Sequence, residues 1–162
     1  MKSTYLIART GRTVNKRSPF ARSDYGTVAI PHLQVLANWT PKGFVGQMLA
    51  KHVAYVPPPA GSTSPLLWGD ESVIGERFGG GDWDVTMKVR TLTFRYPHTP
   101  DGTAQLFRTS YGPTVRTFEA LDKELRPQLA AALVDHWESH QKTEARMTKV
   151  DAEYLEVIAV RR

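Results

Sequence analysis

His32-Leu33-Gln34-Val35-Leu36-Ala37-Asn38-Trp39-Thr40-Pro41 is the stretch whose reading decides the fold. Leu33, Val35, Leu36 and Ala37 form a short apolar run that stops at a polar Asn, an amphipathic Trp and a Thr-Pro pair. A run of this length closed by a breaker reads as a buried strand, although periodicity alone also fits a buried helical turn. Proline pushes the residue before it out of the helical region, so Thr40 is expected to be extended and the chain to turn there. Gly43 to Val53 then reads as a helix carrying Phe44 and Met48 on one side, with Val45 and Leu49 more weakly aligned. Strand, polar tip and helix make an α/β unit. In open α/β sheets ligands sit beyond the carboxyl ends of such strands, which makes Asn38, Trp39 and Thr40 the first candidate site.

Outward from this unit, 162 residues suffice for one domain with a substantial core and are short for two. With no cysteine, neither a disulfide framework nor a thiolate metal site or nucleophile can form. No run approaches the eighteen apolar residues of a membrane span, and no apolar signal region follows the basic start, so the expected location is cytoplasmic. The net charge of +5 is concentrated at the beginning. Residues 1–26 hold six basic side chains against Asp24 alone, leaving fifteen basic and fifteen acidic residues in the remainder. A neutral body with a basic leader makes nucleic acid an unlikely partner. The leader, rich in Arg, Ser and Thr, fits an organelle transit peptide, a nucleic-acid-binding arm, or a poorly ordered segment with a short edge strand near Tyr5–Ala8; the last is the simplest.

Downstream, Pro57-Pro58-Pro59 marks an extended connector, and Pro65-Leu66-Leu67-Trp68 follows with bulk that calls for burial. Asp70 is placed to cap a short helix ending at Gly79. Gly79-Gly80-Gly81-Asp82 is read as a turn rather than a phosphate cradle, because no strand precedes it and no helix follows. Val85 to Tyr96 reads as a strand, with Val85, Met87 and Val89 in one phase and Leu92, Phe94 and Tyr96 in the other. That slip predicts a bulge or bend near Arg90–Thr91. Helices are expected over Asp101–Ser110, Pro113–Leu121 and the stripe Leu125, Leu129, Leu133, Trp137. Ala152 to Val160 is apolar in both phases, the pattern of a central strand covered on both faces.

Few constellations suggest chemistry. His136-Trp137-Glu138-Ser139-His140 is not the zinc-protease motif, because its Glu lies two positions after the first His, on the far side of the helix. The histidine pair is expected on a solvated helix face, with no metal site. No Ser-His-Asp order or Gly-x-Ser-x-Gly elbow supports hydrolysis. Arg108, Tyr111 and Thr114 gather around the Gly112-Pro113 break and are candidates to meet a polar ligand.

Leu36-Ala37-Asn38-Trp39-Thr40-Pro41-Lys42-Gly43-Phe44-Val45-Gly46-Gln47, Pro57-Pro58-Pro59 leading to Pro65-Leu66-Leu67-Trp68-Gly69, Leu106-Phe107-Arg108 with Tyr111-Gly112-Pro113-Thr114, and Glu153-Tyr154-Leu155-Glu156 together resemble one family. They are similar to the C-terminal half of class I S-adenosylmethionine-dependent methyltransferases of the ubiquinone and menaquinone biosynthesis type, over roughly Leu33 to Arg162. The resemblance implies an α/β, partial Rossmann-like fold. Its sheet ends in a fifth strand, a sixth, and an antiparallel seventh inserted between them, roles that fall to Leu33–Asn38, Val85–Tyr96 and Ala152–Val160. It further implies S-adenosylmethionine as cofactor, Asn38 and Trp39 at the border of its pocket, and Thr40, Arg108 and Tyr111 on the substrate side.

The sequence also departs from that family, which binds its cofactor with a Gly-rich turn after strand one and an acidic residue after strand two. The residues before His32 contain neither, and each parallel crossover needs a dozen residues or more. The expectation is therefore a basic leader over 1–31 and a methyltransferase-like C-terminal domain over 32–162, truncated and not catalytic as an isolated monomer. An alternative is a non-catalytic interaction module. A homodimer or a partner chain along the Leu33–Asn38 edge would complete the half-sheet.

Overall fold

The computed structural model describes residues 33–142 and 147–162. The expectations for the leader over 1–31, its edge strand included, lie outside the described residues. Three strands and five helices make an α/β domain: β1 (Leu33–Trp39), α1 (Phe44–Tyr55), α2 (Glu71–Phe78), β2 (Trp83–Tyr96), α3 (Pro100–Ser110), α4 (Gly112–Ala120), α5 (Arg126–His140) and β3 (Thr148–Arg161). A 3-10 turn over Pro65–Gly69 separates α1 from α2.

The helix boundaries follow from local chemistry. Asp70 accepts a hydrogen bond from the Ser72 backbone N–H and so caps α2, while Thr99 does the same for Gly102 at the start of α3. Pro100, Pro113 and Pro127 sit in the first turns of α3, α4 and α5, where a missing N–H costs nothing. Gly81, at φ +83°, makes the turn that leads into β2.

The strands lie in the order β1-β3-β2. β3 is antiparallel to both neighbours, so β1 and β2 run parallel to each other. The register of β2 on β3 is unbroken from Trp83 opposite Arg161 to Tyr96 opposite Thr148. The bulge expected near Arg90–Thr91 is therefore absent, and the phase slip has another cause. Residues opposite one another in register share a face. At one end of the sheet, α2 covers the face bearing Leu36, Val85, Met87, Leu155, Val157 and Ala159 with Ile74 and Phe78. At the other end, α1, α3, α4 and α5 cover the opposite face, which carries Trp39, Phe94, Tyr96, Val150 and Ala152. The apolar phase switches because the covering helices change sides, while the backbone runs straight on.

β3 is central, as its two-phase pattern predicted, yet each half is covered chiefly on one face. On the face opposite α2, Leu33, Val35 and Ile158 remain 43%, 40% and 37% exposed. Leu129, Leu133 and Trp137 of the expected α5 stripe are buried, whereas Leu125 precedes the helix and is exposed. Trp68 also stays at the surface, with the Arg77 guanidinium 4.0 Å above its ring, so the expectation that the Pro65–Trp68 bulk would be buried holds only in part.

Trp137 is fully buried and edges against Phe44, Tyr96 and Phe107 at centroid distances of 4.6, 5.8 and 4.8 Å. Trp137→Ala should cost about 3–5 kcal/mol in urea denaturation, the usual range for emptying such a site. Ile74→Val, in the smaller core under α2, should cost only about 0.5–1.5 kcal/mol.

Candidate functional site

β1 ends at Trp39, opposite Tyr154, while β2 and β3 continue together to Tyr96 and Thr148. A cavity of about 600 Å³ opens at this step. Ala37, Trp39, Tyr154 and Leu92 come from the sheet; Leu49, His52 and Val53 from α1, with Val56 just after it; Pro65 and Leu66 from the 3-10 turn, with Ser64 just before it; and Pro113 and Thr117 from α4, with Tyr111 just before it. It sits at the carboxyl end of β1, where the α/β rule places ligands.

The structure brings together three of the six residues singled out in the sequence, while Thr114 lies buried behind the wall with its hydroxyl 3.1 Å from the His52 Nε2. Asn38, Trp39 and Tyr111 line the cavity. Asn38 works as a clamp: its Nδ2 donates to the Pro65 carbonyl at 2.5 Å, and its Oδ1 accepts from the Trp39 backbone N–H at 2.9 Å. Both halves of its amide are thus committed to holding the 3-10 turn against the strand end. Trp39 stands edge-on to Phe94 and Tyr154 at 5.6 and 6.2 Å, and Tyr111 packs on Phe107 at 5.1 Å.

Thr40 and Arg108 do not join them. The Thr40 backbone N–H donates to the Glu153 carbonyl at 3.1 Å, extending the β1–β3 ladder by one step. Arg108 is exposed on α3 and lies 4.7 Å over the Phe118 ring, beside a separate hollow of about 40 Å³.

His52 and Tyr154 are functional candidates that sequence reading missed. His52 sits four residues after Met48 and eight after Phe44, so the apolar stripe of α1 already pointed at it. It is 4% exposed, its Nε2 lies 3.1 Å from the Thr114 hydroxyl, and its Nδ1 has no hydrogen-bond partner. Burial, with repulsion from His136 added, pushes its pKa from 6.5 down to about 4, so the ring is neutral at pH 7. Tyr154 entered the sequence reading as part of a two-phase strand and of the family resemblance, with no site role attached.

The His136–His140 pair is not the solvated face that its spacing suggested. His136 is buried, stacks on Phe44 at 4.6 Å, and has its Nε2 2.9 Å from the Phe44 carbonyl. The His140 Nδ1 lies 2.9 Å from the His136 carbonyl. Burial likewise lowers the His136 pKa to about 4, against the opposing hydrogen bond to Phe44. Among the described residues no group of three or more His, Cys, Asp or Glu side chains is placed to hold a metal ion.

The 3-10 turn meets the strand closely. A Cβ on Gly69 would collide with the Trp39 carbonyl oxygen, so only glycine lets the turn approach β1 this far. Among the described residues, none that lines the cavity carries a charged side chain. Its polar side chains are largely engaged, since the Ser64 hydroxyl accepts from the Leu66 N–H and the Thr117 hydroxyl donates to the Pro113 carbonyl.

No family model matches the chain. Over 119 residues it is 29% identical to an uncharacterized protein of Mycobacterium tuberculosis and, to the same degree, to one of Mycobacterium bovis. The match covers 73% of this chain and 39% of each relative, so the chain spans about two-fifths of the length of the curated relatives it matches.

Two outcomes test this geometry. Gly69→Ala should destabilise the fold by about 1–3 kcal/mol in urea denaturation, the usual cost of forcing an extra methyl into a closed contact. Separately, His52 and His136 bind fewer protons folded than unfolded, so their contribution to stability is complete above pH 6.5 and is lost as the pH falls toward 4. The melting temperature should therefore drop between pH 7 and pH 4.5. Asp70, held below the usual carboxylate range by Ser72, and Asp151, held there by Lys142 and Thr93, act only at lower pH, which keeps the windows separable. A flat melting temperature across this interval would contradict neutral burial of the two rings.

Proposed function

We propose that this chain is the acceptor-binding part of a methyltransferase-like α/β domain, and that it does not hold S-adenosylmethionine as an isolated monomer. The observation that carries this reading is the strand arrangement at the cavity. The parallel strands β1 and β2 flank an antiparallel β3, the arrangement that the family resemblance assigns to its fifth, seventh and sixth strands. The cavity lies at the carboxyl end of the strand in the fifth position, the side on which the acceptor is expected.

The cofactor fits these residues poorly. Among the described residues the cavity offers no carboxylate for ribose hydroxyls, and the one glycine run, Gly79–Gly81, lies between α2 and β2 with no helix directly after it. No methyl-transfer step is therefore assigned to this chain alone, since transfer depends on holding donor and acceptor in line. The relatives, of which the match covers 39%, run to roughly 300 residues and have room for a second part.

A second reading is favoured by one feature. Among the described strands β1 pairs only with β3, leaving its other edge open beside the exposed Leu33 and Val35. Open apolar edges recruit partners, so a homodimer or a partner chain along Leu33–Asn38 would extend the sheet and supply the cofactor side.

Calorimetric titration with S-adenosylmethionine, with the mass in solution recorded, separates these readings. A folded monomer should give no saturable heat. Saturable binding by a monomer would overturn the proposal, and binding that tracks dimer formation would favour the second reading.

A further inference from the structure

We propose that the outer edge of β2, over residues 88–95, accepts an extended acidic peptide as a fourth strand of the sheet. The inference is independent of the methyltransferase reading, because it involves neither the cavity nor the β1 edge.

The backbone provides the site. β2 is the last strand in the order β1-β3-β2, and among the described residues nothing pairs with its outer side. Its ladder with β3 runs unbroken through fourteen register positions, with no bulge and no internal proline. Alternate residues of an edge strand turn their N–H and C=O groups outward, so this edge offers a long, regular row of donors and acceptors. Residues 88–92 are exposed on both faces, because the cover passes here from α2 on one face to the larger helical layer on the other. That opening leaves room above and below for the side chains of an added strand.

The side chains set the partner's chemistry. Lys88 and Arg95 are exposed and make no ion pair among the described residues. Glu156, the acid opposite Lys88 in register, is held by Arg90 at 3.0 Å, and Asp151 is engaged by Lys142 and Thr93. Asp84, the one acidic residue of β2, binds Arg162 at the far end of the strand. Val89 and Leu92 are 47% and 48% exposed between the two unpaired cations. Carboxylates facing Lys88 and Arg95, with apolar side chains facing Val89 and Leu92, match this edge, since residues opposite one another across a strand pair share a face. β1 carries no charged residue, so the signature belongs to the β2 edge alone. Two copies pairing through β2 would bring these cations together, and like charges across a strand pair destabilise it. The same charges that keep copies apart admit an acidic strand.

Calorimetric titration of the full chain with the end-blocked peptide Glu-Val-Thr-Val-Thr-Glu-Val-Glu, written to face residues 95 down to 88, tests the inference. Saturable binding with a dissociation constant below about 1 mM is expected, with slowed amide hydrogen exchange along β2. The counterpart Lys-Val-Thr-Val-Thr-Lys-Val-Lys should bind at least about tenfold more weakly. N-methylation of two successive central residues blocks both edges of the acidic peptide and should weaken it by about tenfold or more, which separates strand addition from charge attraction. The double variant Lys88→Glu/Arg95→Glu, at two exposed positions, should reverse the preference between the acidic and lysine peptides while the melting curve stays cooperative. No saturable binding to the folded chain, equal affinity for the two peptides, indifference to N-methylation, an unreversed preference in the double variant, or slowed exchange confined to β1 would each overturn the proposal. A peptide-free dimer with protected β2 amides would also overturn it, by making a second copy of the chain the occupant of this edge.

Discussion

The structure depends on β3 being paired along both edges. It shares fourteen register positions with β2 and seven with β1, and no described residues join β1 to β2 directly. A strand in that position must satisfy two ladders, and its cover passes from one face to the other along its length, so Ala152 is buried in one phase and Leu155, Val157 and Ala159 in the other while Ile158 stays exposed. Its faces are used in turn. Val150 and Ala152 point into the larger core under α1, α3 and α5, and Leu155, Val157 and Ala159 into the smaller one under α2.

The unequal pairing makes the cavity. Because β1 stops at Trp39, the sheet narrows, and Thr40 adds one last backbone hydrogen bond to Glu153 before the chain turns into α1. The 3-10 turn over Pro65–Gly69 is drawn over the strand end by Asn38 and fits there because Gly69 has no side chain. Helices α1 and α4 then close the walls, tied to each other by His52 and Thr114. Asn38, Ser64 and Thr117 direct hydrogen bonds to neighbouring backbone, and most of the remaining wall is apolar.

Much of the framework was legible in the sequence because local signals and tertiary context agreed. Pro41 ended the first strand, Asp70 and Gly79 bracketed α2, and the two-phase pattern placed β3 at the centre. The bulge near Arg90–Thr91 was misread because hydrophobic phase reports which face is covered, not whether the ladder is broken. His136 was misread because a histidine spacing does not reveal that a phenylalanine carbonyl and ring await it in the core. At the site, Asn38, Trp39 and Tyr111 stood out beside chain breaks, where ligands are commonly met. His52, Leu66 and Tyr154 come from three separate elements that only the folded chain brings together. Arg108 shared a sequence neighbourhood with Tyr111 yet faces another side of α3 and α4.

Two apolar surfaces stand open among the described residues: the cavity beyond Trp39, and the sheet face bearing Leu33, Val35 and Ile158. A concave site with aromatic walls holds a small ring better than a flat face does. The most direct measurement is a set of intermolecular nuclear Overhauser effects between benzene, as a small apolar probe, and the isotopically labelled chain. Contacts from the probe protons to Trp39, Leu49, Leu66 and Tyr154 are predicted. Contacts to Leu33, Val35 and Ile158 instead, with the cavity signals unmoved, would contradict the account.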